Sequence, residues 1–140
     1  MAQSLNAVEH IVIDTDVWSF LYKNDTRANA YRPLLVGKEA CLSFQSVAEL
    51  YFWAETNKWG DHRRVELAEA IQAYVILTYD DQTAQIWAQI RAACQRAGRP
   101  LAPSDAWIAA SAMQHGYGLL THNIKHYEAI NGLILLTHNV

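Results

Sequence analysis

Three carboxylates recur at matching points along the sequence. Asp14 ends the apolar run in "HIVIDTDVWSF", Glu49 stands in "SVAELYF", and Asp105 stands in "PLAPSDAWIAASAM". Carboxylates brought together are hard oxygen donors, suited to an ion such as Mg²⁺ that binds through a few carboxylates plus substrate phosphate. Without a cation, three such groups would repel one another and raise each other's proton affinity. Each acid also has a plainer role. Ser46-Val47-Ala48-Glu49 fits the capping box, in which Glu49 satisfies an orphan amide at a helix start. Asp14 could be an N-cap, and Asp105, after Ser104, could complement a helix dipole.

The elements that would gather these acids follow one alternating pattern. Short apolar runs at 8–13, 40–44, 74–79, 117–120 and 133–137 read as buried strands. Segments with helical spacing at 17–23, 27–36, 46–57, 63–73, 83–97 and 105–115 read as helices. In the last of these, Ile108, Ala109, Ala112 and Met113 form one apolar side, and Gly116 follows as a C-cap. Strands alternating with helices predict an α/β fold, with a mostly parallel central sheet of four to five strands and helices on both faces. In such a sheet the carboxyl ends of the strands and the adjoining helix starts share one edge, where ligands bind. Asp14 follows the first strand, Glu49 falls in the first turn of the helix after the second, and Asp105 opens the helix before the fourth. The three are expected to meet there in one cleft.

The 140 residues, 51% of them hydrophobic, suffice for one domain over 1–140 with a sizeable core. No secretory h-region is visible and no apolar run approaches the roughly 18 residues that cross a bilayer, so a soluble, cytoplasmic protein without membrane contact is expected. Cys41 and Cys94 lie far apart with no metal-ligand spacing and read as reduced thiols. A net charge of -3 does not advertise a polyanion binder, which usually carries a basic face. Bound divalent ions would soften that objection by reversing the field where a phosphate arrives.

"IVIDTDV", "SVAELYF", "PLAPSDAWIAASAMQHGYGLLTHN" and "HYEAINGLILL" resemble, in this order and over nearly the whole chain, the motifs of PIN-domain ribonucleases, in particular VapC-type toxins of toxin–antitoxin systems. The third piece is the most specific: Pro100-Leu101, then Asp105 and Ile108-Ala109-Ala110, then a short strand leading to Thr121 and Asn123. The resemblance implies a PIN-like three-layer fold and a metal-dependent endoribonuclease in which Asp14, Glu49 and Asp105 hold Mg²⁺ or Mn²⁺. It also implies an RNA substrate of the tRNA or rRNA class, a homodimer, and a cognate antitoxin whose tail blocks the site. PIN nucleases commonly carry a fourth acid after the fourth strand; here those places hold Asn123 and His126. Asn123 is expected as a neutral accessory to the metal site or as a helix cap, and His126 as a phosphate contact. Asp16 stands where related sequences often have Asn or Ser, and is a candidate for support of the ligands or for a cap. The hydroxyls of Thr15 and Thr121 could position a metal-bound water or a phosphate oxygen, or serve local turns.

Several other features bear on function. Lys23, Arg27, Arg96, Arg99, His122, Lys125 and His126 could form a track for the RNA backbone, or stand as solvated surface charges. His122 and His126 have the i, i+4 separation of two ligands on one helical face, but no H-E-x-x-H accompanies them. No G-x-S-x-G nucleophile is present. A receiver domain would need a lysine after the last strand, and "GLILLTHNV" has none. The rival to a nuclease is a non-catalytic PIN-like RNA-binding or scaffold module, since the fourth acidic position is altered. Finally, Tyr51, Phe52, Trp53 and Trp59 cannot all face one core from one helix, so some must meet solvent or a partner.

Overall fold

The computed structural model describes residues 9–138. The chain runs β1 (His10–Ile13), α1 (Thr15–Tyr22), α2 (Ala28–Leu35), β2 (Glu39–Ser43), α3 (Phe44–Thr56), α4 (Asp61–Gln72), β3 (Val75–Leu77), α5 (Asp81–Arg96), α6 (Pro103–His115), β4 (Gly118–Leu120), a 3₁₀ turn (Ile124–His126) and β5 (Leu135–Leu136). The five strands form one sheet in the order β3-β2-β1-β4-β5, and every ladder is parallel. Successive strands build outward from β1 through β2 to β3, then resume on the other side of β1 with β4. The winding reverses between β1 and β4, and in open α/β sheets such a switch point leaves a crevice at the carboxyl ends of the strands.

Side-chain alternation along the strands divides the core between the two faces. Ile11, Ile13, Leu42 and Leu120 pack with Trp18 of α1, Tyr31 of α2, Leu50 of α3 and Leu67 and Ile71 of α4. Val12, Cys41 and Leu119 point the other way, against Ile90 and Cys94 of α5 and Ile108 and Ala109 of α6. The result is the expected three-layer sandwich with both faces of the sheet covered. Cys41 and Cys94 are free thiols, and both are buried. Among the described residues no helix is long and apolar enough to cross a membrane.

The element bounds differ from expectation mainly where a sheet neighbour is lacking. Val8 lies outside the described residues. The run 74–79 forms a strand only over Val75–Leu77, and 133–137 only over Leu135–Leu136, because β3 and β5 are edge strands whose ladders cover three and two residues. Phe44 leaves β2 and opens α3, two residues before the expected start. Ser43 takes the N-cap, its hydroxyl accepting from the Gln45 amide at 3.3 Å. The Ser46–Glu49 capping box therefore does not form, and Glu49 lies in the second turn of α3. Pro103 occupies the first position of α6, where its missing N–H costs nothing, so Asp105 lies within the first turn. Gly116 ends that helix at φ +71°, the left-handed conformation expected of it. The aromatic residues divide as anticipated: Trp59 is buried, Tyr51 and Phe52 are exposed, and Trp53 is half-buried against Trp59 at 5.1 Å.

Candidate active site

The site begins where β1 and β4 end side by side. Ile13 pairs with Leu120, and the next amide, that of Asp14, donates to the Leu120 carbonyl at 2.9 Å, carrying the pairing one residue past the strand. This brings the Asp14 and Thr121 side chains together. Asp14 Oδ2 accepts from the Thr121 hydroxyl at 2.8 Å, and Oδ1 accepts from the Thr15 amide at 2.8 Å. Asp14 is thus the N-cap of α1 and also a member of the acid cluster; the two roles coincide. Only 6% of it is exposed. Burial pushes its carboxyl up to about 6, with the charges of Asp16 and Asp105 adding to the rise and the bonds from Thr121 and Thr15 opposing it.

Glu49 comes from α3 and faces α1. The Thr15 hydroxyl lies 2.8 Å from both Glu49 Oε1 and Ser46 Oγ. A carboxylate can only accept, so the single Thr15 proton goes to Glu49 and the Ser46 hydroxyl supplies the other bond. Ser46 is therefore part of the site's support rather than a helix cap. Burial raises the Glu49 carboxyl above its usual range, opposed by Thr15 and reinforced by Asp105 and Asp16.

Asp105, in the first turn of α6, receives the Tyr127 hydroxyl on Oδ1 at 3.3 Å, and His126 Nδ1 stands 3.5 Å from its Oδ2. Burial raises this carboxyl too, while His126 and Tyr127 oppose the rise. Tyr127 is fully buried, and burial with the nearby Asp14 and Asp105 charges lifts its hydroxyl far above the ordinary phenol value. It remains a donor. From the sequence Ser46 was expected only as a helix cap, and Tyr127 was not singled out. The signal for Tyr127 was an aromatic with a polar tip in the segment after β4, since a buried tyrosine hydroxyl needs a partner.

Asp16 is exposed in the first turn of α1, and the Asn123 side-chain amide donates to its carboxylate. The Asn123 main-chain N–H donates to Thr121 Oγ1 at 3.0 Å. Asn123 precedes the 3₁₀ turn but makes no side-chain capping bond there, so the cap reading fails. The hydroxyls of Thr15 and Thr121 are both bound to carboxylates.

Two clefts flank the acids. One, of about 280 Å³, is bounded by Thr15, Asp16, Glu49, Lys23 and Trp53, with the Lys23 amine 4.2 Å from the Trp53 ring. The other opens beside Asp105, toward Arg99, Lys125 and His126. Other basic residues point elsewhere. Arg27 pairs with Asp25 and covers the Phe20 ring. His122 turns inward, its Nδ1 2.5 Å from the Tyr31 hydroxyl and its ring edge-on to Phe20. His122 and His126 thus diverge and form no ligand pair.

Among the described residues, no three Asp, Glu, His or Cys side chains are grouped closely enough to hold a metal ion as they stand. The single cleft expected for the three acids is not formed either, because Glu49 lines one cleft and Asp105 the other. The donor set nevertheless fits a hard divalent cation that keeps several waters: oxygen donors only, and three carboxyls whose proton affinity is raised by burial first and by neighbouring carboxylates, Asp16 among them in each case.

Comparison with known proteins agrees with this architecture. The PIN domain family model matches residues 11–131. A protein of Shigella flexneri named tRNA(fMet)-specific endonuclease VapC is 30% identical over 122 residues, covering 87% of this chain and 92% of the relative. Its namesake from Salmonella typhimurium matches with the same identity and coverage. Among solved structures, the DNA-bound VapBC of Salmonella typhimurium superposes with a TM-score of 0.79 at 28% identity, covering 94% of this chain and 99% of the other. FitAcB from Neisseria gonorrhoeae gives 0.75 at 26% identity, covering 91% and 97%.

Proposed function

The chain belongs to the PIN domain family, and on that premise we propose that it is an endoribonuclease hydrolysing RNA phosphodiester bonds at a Mg²⁺ or Mn²⁺ site built on Asp14, Glu49 and Asp105. One observation carries this reading. Each of the three acids receives a dedicated hydroxyl from a distant part of the chain: Thr121 to Asp14, Thr15 to Glu49 and Tyr127 to Asp105. Acids that merely cap helices need no such support, whereas ligands that must hold an orientation commonly have it.

When bound, the divalent ion would polarise the scissile phosphoryl group and activate water for attack. Asp14 and Asp105, with Glu49, would hold it, and Asn123 would act as a neutral accessory. The chain's own contribution is orientation. Thr121 and the Thr15 amide fix both Asp14 oxygens, the Thr15 hydroxyl turns Glu49 inward, and Tyr127 anchors one Asp105 oxygen. Asn123 draws Asp16 toward the acids, adding negative charge beside the three ligands. His126, beside Asp105, is placed to meet a phosphate oxygen. Lys23 on one flank and Lys125 and Arg99 on the other supply positive charge that the overall -3 conceals.

The names of the relatives support a finer assignment: a structured RNA of the transfer class as substrate, and a role as the toxin of a type II pair, neutralised in the cytoplasm by a separate antitoxin. The exposed Tyr51 and Phe52 suit a contact with that partner or with a second copy in a homodimer. The decisive experiment incubates the purified chain with total RNA in Mg²⁺, in Mn²⁺ and in chelator, beside Asp105→Ala. Cleavage that depends on the ion and vanishes in the variant supports the nuclease. Cleavage persisting in chelator or in Asp105→Ala would refute it, and tight RNA binding without cleavage would favour the non-catalytic module.

A further inference from the structure

The cleft beside Asp105 encloses about 340 Å³, within the roughly 300–1,000 Å³ usual for small-ligand sites. Four stretches of chain enclose it: α5 at Cys94, the loop carrying Arg99 and Leu101, the start of α6 with Asp105, and the turn region with Lys125, His126 and Ala129. Its lining divides by chemistry. Leu101, Ala102 and Ala129 make an apolar wall, and Arg99 and Lys125 put two cations at the rim.

The loop wall is held in place from α5. Arg91 Nε donates to the Leu101 carbonyl at 3.2 Å, and Trp87 Nε1 donates to the Pro103 carbonyl at 3.1 Å. The Arg99 amide donates to the Cys94 carbonyl at 2.9 Å. Trp87 is itself stacked on Trp107 at 4.9 Å, and Trp107 on Tyr79 at 4.8 Å, so the loop rests on a rigid aromatic column. A loop with Gly and two prolines, whose carbonyls are tied down in this way, gives a preformed cavity rather than a transient one.

The cations at the rim are free to take an anion. Lys125 is exposed and has no ion pair among the described residues. Arg99 spends one N–H on Glu128 at 3.0 Å, in an exposed pair worth little, and a guanidinium has four more. The Asp105 carboxylate at the inner end would repel a phosphate, which therefore belongs at the Lys125–Arg99 end.

We infer that this cleft is a subsite for one nucleotide of an unpaired RNA stretch next to the scissile bond, with its phosphate on Lys125 and Arg99 and its base against the Leu101–Ala102–Ala129 wall. The inference rests on the nuclease reading and deepens it. Contact with a base face through apolar side chains is tolerant of sequence, so the subsite selects unpaired, splayed RNA rather than a particular base.

The test is fluorescence anisotropy of a labelled single-stranded RNA of about twelve nucleotides, held uncut in chelator, between about 50 and 200 mM salt. Lys125→Ala and Arg99→Ala should each weaken binding about three- to tenfold and lower the slope of log affinity against log salt by about 1. Ala102→Phe, at an exposed position, narrows the cleft without changing charge; it should weaken binding and leave the slope alone. A wild type that binds and cuts RNA, with all three variants binding as well as wild type, overturns the subsite and leaves the nuclease standing. A wild type that neither binds nor cuts overturns both. Loss of affinity for a poly-glutamate peptide in the variants, with RNA affinity untouched, would assign the cleft to an acidic protein partner instead and overturn the inference.

Discussion

The Thr121 hydroxyl lies 2.8 Å from Asp14 Oδ2, a buried bond between the ends of two neighbouring parallel strands. Thr121→Val, nearly isosteric, should cost about 1–3 kcal/mol by leaving that oxygen without its donor. It should also raise the Asp14 carboxyl further, since this bond is the largest influence lowering it. Chemical denaturation and Mn²⁺ titration calorimetry check both, and Thr121→Ser should restore them. Wild-type stability and ion affinity in the valine variant would show the bond to be idle.

Glu49→Gln keeps an oxygen for the Thr15 hydroxyl but removes a charge. Because Glu49 is not a helix cap, the variant should fold with stability at or above wild type and lose RNA cleavage. Full activity in a standard cleavage assay would remove Glu49 from the ion site.

Asp105→Asn leaves an acceptor for Tyr127 while relieving repulsion with Asp14 and Glu49. Its denaturation midpoint in chelator should not fall below that of wild type. Added Mn²⁺ should stabilise wild type more than the variant, since ligand binding stabilises only in proportion to affinity. An equal gain in both would mean that Asp105 does not hold the ion.

Asn123→Asp sets a second carboxylate against Asp16, where an amide now donates. In chelator the variant should be less stable than wild type. Its Mn²⁺ affinity should rise, because charge is added beside the site. Equal affinities in calorimetric titration would take Asn123 out of the ion's surroundings.

The pH dependence follows from Asp14. Its folded carboxyl titrates near 6, above the ordinary 3.8, so the folded state holds its proton more tightly than the unfolded one. The contribution to stability is full below about pH 4 and is lost as pH rises through 6, on the order of 3 kcal/mol in all. Thermal unfolding in chelator should thus weaken across that window, and a divalent ion should flatten the dependence. Stability that rises with pH between 4 and 6 in chelator would contradict a dominant effect of burial on the Asp14 carboxyl.

The layering of the fold was legible in the sequence because Ile11, Val12 and Ile13 alternate between two cores, and the neighbouring strands keep that phase. The lengths of β3 and β5 were not, because apolar composition says how much chain is greasy, and only a partner strand decides how much of it pairs. The three acids could be picked out by their places at the sheet edge. What holds them could not: Thr121 reaches back 107 positions to Asp14, and Thr15 reaches 34 positions on to Glu49. The capping-box reading of Ser46 and Glu49 failed for a local reason. Its spacing matched, but Ser43 stood three residues earlier with an extended backbone and took the cap first.

Glu49 lies six residues into α3, so its direction is a matter of helical phase. Inserting or deleting one residue between Ser43 and Glu49 would swing the carboxylate by about 100° around the helix axis, away from Thr15 and the other acids. A change of length in the turn between α2 and β2, far from the site, would leave that phase untouched. The first turn and a half of α3 is therefore a ruler whose length cannot drift, whatever substitutions its individual positions accept.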